Sequence, residues 1–95
     1  MLKPTPAALQ IFGDTVRSFR KQQRLRQEDL AKRAGLNRSH IGEIEHGKSN
    51  ITLDTILRLA GALRVAPTQL LHPLDTHPEL YTTVPAEPAQ GENTG

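Results

Sequence analysis

The sequence predicts a single all-α domain built from five short helices. Apolar residues recur at three- and four-residue steps, as on one face of a helix. Gly or Pro punctuates the chain where each run ends. No segment shows strand alternation of any length. At 95 residues, the chain is about the size of one small domain.

The first helix is expected from Leu9 to Gln23, with Leu9, Phe12, Val16 and Phe19 as its apolar stripe and Arg17, Arg20 and Lys21 on the other face. A second runs from Gln27 to Ala34 and turns Leu30, Ala31 and Ala34 inward. Gly35 follows at the position where a helix commonly ends in the left-handed conformation. Asn37 is a strong N-cap for a third helix from Arg38 to about His46, with Ile41 and Ile44 inward and Gly47 as its stop. Thr52 caps a fourth, whose stripe is read as Leu53, Ile56, Leu57, Ala60 and Leu63. Ala66-Pro67 opens a fifth, with Pro in the first turn, where its missing N–H does no harm; it ends around Leu71.

Charge divides the chain. Residues 1–71 hold all twelve Lys and Arg against six acids, a net +6; residues 72–95 hold four acids and neither Lys nor Arg, a net −4. The expected layout is a flexible leader over 1–8, a folded domain over 9–72 and an acidic, Pro-interrupted tail over 73–95. That tail is read as disordered, because its composition buries too little apolar surface to offset ordering entropy. It is expected to screen or compete with a polyanion, or to dock a protein partner.

Other classes are set aside on composition. No apolar run approaches the roughly 20 residues needed to cross a bilayer. Nothing near the start reads as a signal peptide. Without cysteine, disulfides and thiolate zinc sites are excluded, and a cytoplasmic location is the default. No metal site or cofactor is expected. Neither is an enzyme: His40 and His46 are six apart, about 120° round a helix, and no nucleophile or carboxylate pair is arranged for catalysis.

The informative span is Gln27 to His46. Two helices joined by a three-residue turn need a small residue where they cross, here Ala31, and a positive φ at the bend, here Gly35. Leu36, Ile41 and Ile44 then seat the second helix so that its first turn projects outward. The chain here resembles the Cro/CI-type, or xenobiotic-response-element-type, phage repressors, a helix-turn-helix family. The resemblance runs from about Phe12 to Leu71. It rests on Arg20-Lys21, on Gln27 through Leu36, on Ile41 through Lys48, and on Leu53 to Leu57 and Leu59 to Leu63. It implies a compact, lambda-repressor-like five-helix domain that acts as a homodimer on near-palindromic double-stranded DNA. Two positions depart from the family's habit: Arg24 stands where Gly is frequent, so that turn is wider or mildly strained, and Arg26 stands where Ser or Thr often caps.

If the third helix enters the major groove, Arg38, Ser39, His40, Glu43 and Asn37 are the candidates to meet bases. Arg38 can make two hydrogen bonds to the O6 and N7 of guanine, or else contact a phosphate or stay solvated. Glu43 can accept from cytosine N4, or simply face solvent. Asn37 is expected first as a cap and second as a DNA contact. Phosphate candidates are Gln27, where a helix N-terminus suits an anion, then Arg26, Arg33, Lys48, Ser49 and Asn50; the Gln27 side chain can brace Arg38 or the backbone. The resemblance further implies a partly buried Arg20–Glu45 ion pair, and a dimer surface at Leu70, Leu71 and the junction of the last two helices. The rival reading is an antitoxin or assembly module whose main partner is another protein.

Overall fold

The computed structural model describes residues 6–82, and helix α1 occupies Pro6–Gln22. The part of the expected leader from Pro6 to Ala8 is therefore helical, while residues 1–5 lie outside the described residues. Helices α2 (Gln27–Ala34), α3 (Arg38–Glu45), α4 (Leu53–Leu63) and α5 (Pro67–Leu71) follow. No strand occurs among the described residues, and no helix among them is long and apolar enough to cross a membrane.

Local chemistry sets the ends of these helices. Gly35 takes φ 69° after α2, and Leu36 N–H returns to the Ala31 carbonyl, the backbone reversal an L side chain resists. Asn37 caps α3 by accepting from His40 N–H at 2.8 Å. Thr52 caps α4 in the same way through Thr55 N–H at 3.1 Å. Arg24 sits at φ 58°, so the α1–α2 turn uses the left-handed region without glycine. Arg64 ends α4 at the same φ.

A contiguous core joins all five helices: Phe12 and Val16 of α1, Leu30, Ala31 and Ala34 of α2, Ile41 and Ile44 of α3, Leu59, Ala60, Ala62 and Leu63 of α4, and Leu70 of α5. Fully burying each Leu, Ile or Val contributes about 1.5–3 kcal/mol. Gln23 Nε2 donates to the Leu63 carbonyl at 2.6 Å, which ties the ends of α1 and α4.

Three expectations change. The α4 stripe is rotated: Leu53 and Leu57 are 69% and 50% exposed, and the buried positions are Thr55, Leu59, Ala60, Ala62 and Leu63. Leu70 is fully buried within its own chain, so it has no surface to give a second copy, whereas Leu71 is exposed. The chain beyond residue 72 does not fall away at once. Two 3-10 turns, His72–Thr76 and Pro78–Leu80, follow α5, and the first packs on α1. Residues 83–95, the remainder of the acidic tail, lie outside the described residues.

Candidate nucleic-acid interface

The candidate interface is the exposed first turn of α3. Asn37 at its cap stays exposed, and its Oδ1 also accepts from Ser39 Oγ at 2.9 Å. Arg38, Ser39 and Glu43 are exposed. The side chains of Arg38 and Glu43 have no hydrogen-bond or ion-pair partner among the described residues, so both are free to meet a ligand. Gly42 leaves open space beside this surface: the nearest atom to a Cβ built there is the Gln27 side-chain oxygen, at 4.0 Å. His40 is half-buried, with Nε2 3.3 Å from Ser49 Oγ, so it links α3 to the following loop.

Behind that surface lies a buried polar brace. Arg20 Nε meets Glu45 Oε2 at 2.7 Å and Arg20 Nη2 meets Oε1 at 2.9 Å. The third donor, Arg20 Nη1, reaches the Leu25 carbonyl at 2.8 Å. Hydrogen bonding to Glu45 holds the Arg20 guanidinium above its ordinary value, against the opposing effect of burial, and the carboxylate's charge adds to it. Gln27 Nε2 donates to Glu45 Oε1 at 3.1 Å, so its side chain braces the pair rather than Arg38. Gln10 Nε2 donates to the Glu45 carbonyl at 3.2 Å and to Asp14 at 2.8 Å. The end of α3 is thereby fixed from α1 and α2 together.

The phosphate candidates divide. Arg33 and Lys48 are exposed and have no ion-pair partner among the described residues. Asn50 is exposed and Ser49 half-buried in the same loop as Lys48. Arg26 is engaged: its guanidinium pairs with Glu28 at 3.3 Å and Asp29 at 3.2 Å. Its backbone N–H donates to Asp29 Oδ2 at 2.8 Å, half of a capping box. Asp29 therefore closes the start of α2 where Arg26 has no acceptor to offer. Among the described residues there is no cluster of His, Cys, Asp or Glu fit to hold a metal ion.

Sequence reasoning missed Arg17, Gln10 and His46 as neighbours of this brace. Only the spacing of Arg17 from Arg20, one helical turn, could have signalled it. A cavity of about 710 Å³ lies elsewhere, between α1 and the α5 region, lined by Ile11, Phe19, Pro73 and others without Lys or Arg. The lining includes the Asp14 carboxylate, which repels a polyanion.

Residues 16–70 match the family described as Helix-turn-helix. The control protein C.SmaI of Serratia marcescens is 42% identical over 62 residues, covering 65% of this chain and 74% of that protein. The restriction-modification controller protein C.AhdI of Aeromonas hydrophila has a crystal structure that superposes with a TM-score of 0.67 at 44% identity, covering 67% of this chain and 97% of that one. The P22 c2 repressor, solved in complex with a synthetic operator, superposes at 0.60 with 30% identity, covering 63% and 91%.

Proposed function

The chain belongs to the helix-turn-helix family, the Cro/CI-type DNA-binding transcription regulators, and from that premise we propose that it is a repressor-like regulator binding a pseudo-palindromic operator as a homodimer. One observation carries this reading. Arg38 and Ser39 stand exposed on the first turn of a helix whose other end is locked by the buried Arg20–Glu45 pair. A reading head needs a free donor, here Arg38, and a mount that does not move. Arg38 reads guanine, and Asn37, Ser39, His40 and Glu43 adjust its neighbourhood. Lys48, Ser49, Asn50, Arg33 and the start of α2 at Gln27 position the domain on phosphates, which displaces counterions and makes affinity fall with salt.

The second copy supplies the other half-site, about 34 Å away along the duplex. The surface for that copy is apolar and exposed: Leu53 and Leu57 of α4 and Leu71 of α5. No catalytic step is involved. Binding at a promoter excludes polymerase.

Selection of bound duplexes from a random pool tests the reading. An inverted-repeat consensus is expected. No enrichment over the starting pool would overturn it and favour a module whose main partner is a protein.

A further inference from the structure

Beside the buried pair lies a polar cleft of about 110 Å³, lined by Arg17 and Arg20 of α1, Gln27 of α2, and Glu45 and His46 at the end of α3. The Glu45 carboxylate is taken up by Arg20 and Gln27. Arg17 is exposed, and its side chain has no hydrogen-bond or ion-pair partner among the described residues. His46 is also exposed, with Nδ1 2.7 Å from the Gly42 carbonyl. A carbonyl oxygen only accepts, so Nδ1 carries a hydrogen in both charge states, and Nε2 is the nitrogen that gains or loses a proton.

We propose that this cleft seats one backbone phosphate of bound DNA between Arg17 and His46, and that His46 makes the contact pH-dependent. The inference rests on the DNA-binding reading and adds two residues to it. Neutral His46 presents a lone pair at Nε2, which opposes a phosphate oxygen. Protonated His46 presents an N–H and a full charge, a charge-assisted donor. The groups facing the imidazole are Arg17 and Arg20 from α1, Gln27 from α2 and Glu45 from its own helix. The cleft therefore carries one net positive charge with the ring neutral and two with it protonated. The dipole at the C-terminus of α3, which His46 caps, opposes an anion but favours the protonated ring. Gln27 opens α2, whose N-terminal end favours an anion. Arg20 is held by Glu45 and does not swing out, so Arg17 is the mobile cation of the pair. The sign follows: phosphate binds the protonated form more tightly, so affinity rises as pH is lowered.

The test measures equilibrium binding of the whole chain to a duplex without operator sequence at about pH 6 and about pH 8, at matched ionic strength. Wild-type affinity is expected to be about tenfold higher at the lower pH, with a log–log salt slope steeper by about 0.9. His46→Gln should respond to pH no more than the buffer control, while His40→Gln keeps the wild-type response. Arg17→Ala should lose affinity at both pH values and shed about 0.9 from the slope. In the unaltered chain, the His46 ring titration followed by NMR should move to higher pH on adding the duplex. A pH response retained by His46→Gln, or a ring titration unmoved by DNA, would overturn the seat while leaving DNA binding intact. No duplex binding by the wild type at either pH would overturn the DNA-binding reading itself, and the seat with it.

Discussion

Arg20 and Glu45, twenty-five residues apart in sequence, close a two-point ion pair of 2.7 and 2.9 Å between α1 and α3. Both residues are buried, at 8% and 4% exposure. A charge left in such a place without its partner is far costlier than a surface pair broken in water. Glu45→Ala should therefore lose about 3–5 kcal/mol of unfolding free energy, read by urea denaturation. Replacing both residues with apolar ones of similar size should cost much less. A single-variant loss below about 1 kcal/mol would mean the pair does not hold α3.

Gly13 faces the same junction. A Cβ there would run into the Ile44 carbonyl and stand 3.0 Å from the Glu45 carbonyl, both backbone atoms that cannot rotate away. Gly13→Ala should destabilise by about 1–3 kcal/mol, lowering the melting temperature by at least about 4 °C for a domain of this size. That runs against the usual gain from replacing a helical Gly by Ala. An unchanged or raised melting temperature would show that α1 and α3 can separate freely.

Some of this was legible in the sequence. Gly35 and Asn37 announce the turn because each answers a local need: positive φ at the bend, a side-chain acceptor at the cap. The exposed first turn of α3 follows from them. The side chosen by α4 was not legible. Leu53, Leu57 and Leu59 all fit a three- or four-residue step, and only packing against α2 and α5 decides that Leu59 goes in and the other two stay out. Arg64 adopts a left-handed φ where no residue type advertises it, whereas Arg24 stands where the family frequently has Gly, which marks its turn as strained. The Gln27–Glu45 bond joins side chains 18 apart on different helices, beyond any local pattern. The ordered turns at His72–Leu80 were masked by an acidic, Pro-rich composition, although Pro also suits the first turn of a short helix.

Asp29 gives a pH prediction. Its carboxyl is held below the usual carboxylate range, first by the Arg26 side-chain hydrogen bond and then by the Arg26 backbone N–H. A depressed folded value means stability present at neutral pH and lost as pH falls through that value. The melting temperature of the wild type should therefore decline more steeply on acidification below the ordinary Asp range than that of Asp29→Asn. Parallel acid limbs would remove Asp29 from the account of how α2 begins.

Leu57 tests the proposed dimer surface separately from the fold. Half its surface faces solvent, so Leu57→Glu should leave the circular dichroism and melting of the monomer nearly unchanged. Sedimentation equilibrium should show the dimer of the wild type weakened at least about tenfold. Wild-type-like association would place the contact elsewhere on the domain.

In the proposed mode of binding, α3 reads bases through Arg38 while loop residues hold phosphates. Affinities of wild type, Arg38→Ala and Lys48→Ala, measured on the selected consensus and on a set of single base-pair substitutions, test it most directly. Arg38→Ala should erase about 1–3 kcal/mol of discrimination at one base pair and leave the other positions discriminated. Lys48→Ala should weaken every sequence alike and reduce the salt slope by about one. If Arg38→Ala instead lowers affinity equally on all sequences, Arg38 is a phosphate contact and α3 does not read the operator through it.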